Sequence, residues 1–99
     1  MSLDSVRRGV NEFLARFPQL HVLINNAGTG MLTRQLSVDG IELTFAMNYL
    51  GHFLLTQLLL ERVRTSAPAR IVNLAGMYHK RGPLCLDDLQ FERCPYHCL

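Results

Sequence analysis

Two short apolar runs, His21-Val-Leu-Ile-Asn25 and Arg70-Ile-Val-Asn-Leu74, stand on either side of a long helical pattern. That arrangement constrains the fold more than any other feature of the chain. Strand, long crossover, strand is a βαβ unit, so the two strands should lie parallel with a right-handed crossover. The first run is continuously apolar with β-branched members, which suits a strand buried on both faces of a parallel sheet. In such sheets ligands gather beyond the carboxyl ends of the strands. Both runs end in small, flexible residues, Asn25 to Gly28 and Asn73 to Gly76, and those two ends should lie side by side.

Helices are legible from period and punctuation. Ser2 is a candidate N-cap, Val6, Val10, Phe13, Leu14 and Phe17 recur at helical spacing, and Pro18 stops the run. The longest pattern extends from Ile41 to Arg64. Phe45, Tyr49, His52, Thr56, Leu59 and Val63 lie along one side, and Leu43, Met47, Leu50, Leu54, Leu58 and Arg62 along another. A helix this apolar around its circumference should be buried twice, against its own sheet and against something else. The 99 residues leave room for one small domain at most. Hydrophobic residues make up 48% of them and charged residues 18%, which excludes a disordered chain. It is also more apolar material than so small a domain easily hides. Leu50, Leu54 and Leu58 are therefore expected on an exposed face.

The charges exclude other classes. The formal net charge of +2 is scattered, with no basic stripe for nucleic acid. The longest apolar stretch, Phe53 to Leu60, is interrupted by Thr56 and Gln57 and falls well short of the ~18 residues of a membrane span, so none is expected. Met1 leads straight into Ser-Leu-Asp-Ser without a signal-peptide pattern. Three cysteines, Cys85, Cys94 and Cys98, read as reduced thiols of a cytoplasmic protein. With His97 they are formally enough for zinc, but no Cys-x-x-Cys pair is present, and the expectation is no metal. Asp87 and Asp88 read as a solvated turn, and His21, His52 and His79 as core or surface histidines.

Three pieces together resemble one family. Asn25-Asn26-Ala27-Gly28 closes an apolar strand, Asn48-Tyr-Leu-Gly-His-Phe53 sits inside the long helix, and Ala69-Arg-Ile-Val-Asn73 forms the next strand. Their order and spacing resemble the middle of a short-chain dehydrogenase/reductase. The string Asn48 to Leu60 further resembles the branch that includes retinol dehydrogenases and the WW-domain-containing oxidoreductase. The resemblance implies an α/β fold of partial Rossmann type, the central βαβ portion of a doubly wound parallel sheet. Residues 1–99 would then be the central fragment of one NAD(P)-binding domain, shortened at both ends.

The same resemblance implies NAD or NADP as cofactor, and hydride moved to or from a carbonyl or alcohol of a retinoid, steroid or lipid aldehyde. Asn25, Asn26, Ala27 and Gly28 match the turn that steadies the central sheet near the adenosine side of the cofactor. Asn48 matches the catalytic asparagine, which distorts its helix and holds a water in the proton relay. Set among Phe45, Met47, Leu50 and Phe53, it should have a buried partner.

Several family parts are missing. The dinucleotide turn Thr-Gly-x-x-x-Gly-x-Gly has one candidate, Thr29-Gly30, where Arg34 stands in place of the next glycine. The serine pair after the crossover reads Ala75-Gly76, so Gly76 occupies the position of the catalytic serine. Tyr-x-x-x-Lys is absent: Tyr49 is followed by Phe53, Tyr78 by Gly82, and Tyr96 by the end of the sequence. Leu86 to Gln90 resembles the segment that leads to that missing helix. The expectation is a piece of an oxidoreductase with negligible catalysis by itself, from a parent that could be membrane-associated through an N-terminal segment outside this chain. The competing expectation is a non-catalytic interaction module, forming homo- or hetero-oligomers through helix 41–64.

Overall fold

The computed structural model describes residues 1–76, 85–93 and 96. The sequence readings at Tyr78, His79, Gly82, Cys94, His97 and Cys98 fall outside them.

Helix α1 runs Leu3–Arg16. Its start follows from capping, since Ser2 Oγ accepts from the Ser5 amide and the Leu3 amide donates to Asp39 Oδ2 at 2.9 Å. Asp4 in the first turn and Arg16 in the last suit the helix dipole. At the other end, the Arg62 guanidinium donates to the carbonyls of Leu14 and Phe17, two acceptors the helix leaves open. Arg62 was expected on an apolar stripe. Its head instead closes the end of α1.

Strands β1, Val22–Asn25, and β2, Arg70–Asn73, pair in parallel with Val22 opposite Arg70 and Asn25 opposite Asn73. The expected βαβ unit is present. Burial on both faces is not. Leu23 and Asn25 point into the core, whereas Val22 and Ile24 are 52% and 57% exposed, and no β2 residue is fully buried. A two-stranded sheet flanked by helices on one side covers one face and leaves the other to solvent. The core is Val10, Leu23 and Leu59, with Phe13, Leu14, Leu55 and Ile71 packed around it. The chain exposes 7345 Å², against roughly 5,700 Å² for a compact domain of its mass.

Helix α2 spans Leu43–Thr65, later at both ends than the pattern from Ile41 to Arg64 suggests. It opens with an α turn, Leu43–Phe45, widens into a π segment, Ala46–Leu50, and continues as α from Gly51 to Thr65. Glu42 caps it, with Oε1 accepting from the Thr44 amide and Oε2 from the Phe45 amide, at 2.9 and 2.7 Å. That carboxylate is 1% exposed. Tyr96 donates to its Oε1, and Gln90 Oε1 accepts from the Glu42 amide. The exposed stripe is not the one expected. Leu50 and Leu54 are partly covered, and the open side carries Tyr49 and Phe53, 56% and 53% exposed, with Leu58 at its edge. Phe45, Tyr49 and Phe53 stack in sequence, with ring centroids 5.4 and 6.2 Å apart.

Two further corrections concern α2 and the segment beyond β2. The apolar stretch Phe53 to Leu60 fell short of a membrane span, but α2 as a whole has 23 residues and is long and apolar enough, by length and composition alone, to cross a membrane. Asp88 is buried rather than solvated, its two carboxylate oxygens accepting from the amides of Glu92 and Arg93. Asp87 remains on the surface beside Arg93. Arg34 Nε donates to the Gln90 carbonyl, which joins this segment to the loop before α2.

Candidate functional site

The carboxyl ends of β1 and β2 lie side by side, as a parallel pair requires. Asn25 closes β1 with its side chain turned inward, 2% exposed. Its Nδ2 donates to Asn73 Oδ1 at 2.7 Å across the strand pair, and to Thr56 Oγ1 at 2.9 Å on α2. One amide thus joins both strands and the helix above them. Asn25 Oδ1 is buried with no hydrogen-bond partner among the described residues. The backbone continues the ladder one step further, with the Leu74 amide donating to the Asn25 carbonyl.

Asn26, Ala27 and Gly28 are exposed beyond the strand end. Asn48 reaches this loop from the π segment. Its Oδ1 accepts from the Thr29 amide and its Nδ2 donates to the Thr29 carbonyl, both at 2.8 Å. The expectation of a buried partner fails in one respect, since Asn48 is exposed. The partner is real but is backbone, and it holds the loop rather than filling the core. A π turn carries one more residue than an α turn, which re-aims the side chains that follow. Asn48 sits inside that turn. A Cβ added at Gly28 would lie 3.4 Å from Asn48 Oδ1, an ordinary contact.

Between α2 and β2 lies a cleft of about 300 Å³, lined by Asn48, Tyr49, Phe53, Thr56 and Asn73. The structure therefore brings Asn48 and the two strand ends to one edge. Gly76 follows β2 at that edge, exposed, and a Cβ there would meet nothing within 4 Å among the described residues. Thr56 was counted only as part of a helical stripe, although a threonine within an apolar stripe is itself a signal of a polar contact. Thr29, read in sequence only as part of a failed glycine turn, contributes its backbone to Asn48.

Residues 1–85 match the short chain dehydrogenase family. The chain belongs to that family. It is 49% identical over 89 residues to retinol dehydrogenase 12 of Mus musculus and of Homo sapiens, covering 90% of this chain and 28% of each relative. Polyprenol dehydrogenase of Danio rerio is 48% identical over 97 residues, covering 94% of this chain and 30% of that protein. Among solved structures, an uncharacterized protein from Mycobacterium paratuberculosis superposes with a TM-score of 0.79 at 38% identity, over 96% of this chain and 32% of that one. The chain thus spans less than a third of the length of these relatives. Family membership and the parallel strand pair together make this an α/β chain of partial Rossmann type.

A dinucleotide needs free backbone amides at a glycine turn for its pyrophosphate. Here the Thr29 amide is taken by Asn48, and Arg34, which stands where the motif wants glycine, is bound to the Gln90 carbonyl. The residues present do not fit the whole group. Among the described residues, no cluster of three or more metal-ligating side chains occurs.

Proposed function

We propose that this chain is the central piece of an NAD- or NADP-dependent oxidoreductase that interconverts a carbonyl and an alcohol, with a lipid-like aldehyde or its alcohol as substrate. The observation that carries the reading is the π turn with Asn48 inside it, held against the loop that ends β1. That asparagine is the catalytic candidate of this chain. Asn25, Asn26, Ala27 and Gly28 are the cofactor-edge candidates, with Asn25 holding the edge rigid through Thr56 and Asn73. The names of the relatives, retinol and polyprenol dehydrogenases, support an apolar alcohol as the substrate class. The sequence holds no Tyr-x-x-x-Lys pair to accompany Asn48, and Gly76 stands at the serine position. The 99 residues alone are therefore proposed to be without activity, and to reside in the cytoplasm.

A second reading has its own observation. The face of α2 on which Phe45, Tyr49 and Phe53 stack, with Tyr49 and Phe53 exposed, suits a module that pairs with another copy or a full-length relative. One experiment separates the two: reading the transcript on both sides of this frame, then assaying its longest product with retinal and NADPH or NADH. A glycine-rich turn upstream, Tyr-x-x-x-Lys downstream and turnover that falls in Asn48→Ala support the enzyme. Stop codons at both ends with no turnover leave the pairing module.

A further inference from the structure

The first turn of α2 is held more firmly than a helix start requires, since one exposed side-chain cap is enough for that. The buried Glu42 carboxylate accepts from the amides of Thr44 and Phe45 and from the Tyr96 hydroxyl. The Leu43 amide donates to the Gln35 carbonyl at 2.8 Å, and the Glu42 amide to Gln90 Oε1 at 2.9 Å. The body of α2 is held separately. Thr56 accepts from Asn25, Leu59 stands in the core, and Arg62 donates to the carbonyls of Leu14 and Phe17. Between the two anchorages the helix carries one residue too many. The Gly51 amide donates to the Ala46 carbonyl, five residues back rather than four. Gly51 permits that path, since a Cβ there would lie 3.3 Å from the Ala46 carbonyl oxygen and 2.7 Å from the Met1 methyl. Asn48 sits in the middle of this turn, and both of its hydrogen bonds go to Thr29.

We infer that Glu42 is the positioning residue for Asn48. Its carboxylate fixes the first turn in a register that the anchored body of α2 cannot continue. At about 100° per residue, an unbroken α-helix begun from that turn would swing Thr56 and Leu59 away from Asn25 and the core. The π turn absorbs the extra residue, and in doing so aims Asn48 at the loop that ends β1. Without the clamp the first turn is free to rotate. The helix then relaxes toward the α form that helices ordinarily keep, the Gly51 amide bonds to Met47, and Asn48 leaves Thr29. The carboxylate's own partners are Thr44, Phe45 and Tyr96, so its hold on Asn48 passes through the helix. The inference rests on Asn48 as the functional side chain. Its test reads the Asn48 contact rather than turnover, so the two can fail separately.

Hydrogen exchange in the 99-residue chain compares the Thr29 amide with that of Leu59, a core residue whose amide opens with the whole fold. Glu42→Ala should speed exchange at Thr29 about tenfold more than at Leu59, the size of the lost Asn48 contact. Glu42→Gln keeps one acceptor and should show a smaller excess in the same direction. Ser66→Ala removes a buried hydroxyl just beyond the far end of α2, where it accepts from the Leu20 amide. It should lower stability without speeding Thr29 more than Leu59. NMR coupling through the hydrogen bond gives a second readout. The Gly51 amide should couple to the Ala46 carbonyl in the parent chain and to that of Met47 in Glu42→Ala. Should Glu42→Ala fail to fold, Glu42→Gln decides by the same comparison of Thr29 with Leu59. A clamp that merely stabilises the helix would move Thr29 and Leu59 together and leave Gly51 coupled to Ala46. Either result, or a Thr29 excess in Ser66→Ala, would overturn the inference.

Discussion

Asn25 and Asn73 face each other in register across the two parallel strands, and the buried amide of Asn25 donates to Asn73 Oδ1 at 2.7 Å. The same amide reaches Thr56 on α2, so strand spacing and helix height are set by one side chain. Asn25→Leu keeps the volume and removes the donor. It should destabilise the chain by about 1–3 kcal/mol, because Thr56 and Asn73 lose their partner. Urea unfolding measures this, and a double-mutant cycle with Thr56→Val should show coupling of at least ~0.5 kcal/mol. Additive losses would mean that the three side chains do not act as a unit.

Asn48 holds Thr29 through its amide and carbonyl at once. Asn48→Asp keeps the acceptor and loses the donor, whereas Asn48→Ala loses both. Hydrogen exchange at the Thr29 amide should remain slow in the first and become fast in the second. Both bonds lie on the surface, so the stability change should be small, about 1 kcal/mol in Asn48→Ala. Equal protection in both variants would remove Asn48 from its place against the loop.

Glu42 is almost fully buried and caps α2 with both carboxylate oxygens. Glu42→Ala should cost about 2 kcal/mol, at the upper end for a helix cap, since the amides and Tyr96 lose an acceptor together. Glu42→Gln retains one acceptor and should recover part of this. Thermal unfolding followed by circular dichroism orders the three proteins.

Gly76→Ser should leave the chain without turnover on retinal or simple aldehydes with either nicotinamide cofactor. Among the described residues nothing lies within 4 Å of the new Cβ. What it lacks is a proton donor, a contribution of roughly 10²–10⁴-fold in such chemistry. Calorimetric titration of the parent chain should show NADPH and NADH binding no tighter than millimolar. Measurable turnover in Gly76→Ser, or micromolar affinity for either nucleotide, would mean that the site has been misplaced.

The open faces predict association. Val22, Ile24, Val72 and Leu74 are exposed on the sheet, and Tyr49 and Phe53 on the helix. An apolar strand with an unpaired edge is a template for further pairing. Light scattering on freshly purified protein at tens of micromolar should report oligomers, reduced in Ile24→Lys if the sheet leads and in Phe53→Lys if the helix does. A monodisperse monomer would show that the chain tolerates these faces in water.

The sequence by itself determined what depends on neighbours close along the chain. Ser2 as a cap, Pro18 as a stop, the two β-branched runs and the long apolar period between them were enough for two helices, two strands and a parallel pair. The family, too, was readable there, because its motifs are short strings at fixed spacing. Tertiary structure alone decided which faces water reaches and which groups meet. The partners of Asn25 lie 31 and 48 residues away, that of Asn48 lies 19 residues away, and Tyr96 closes on Glu42 across 54. Nothing local marks such pairs. The apolar stripes of α2 look alike in sequence, and only the position of α1 leaves the Tyr49 and Phe53 side open. Periodicity names the faces of a helix; the packing of its neighbours chooses among them.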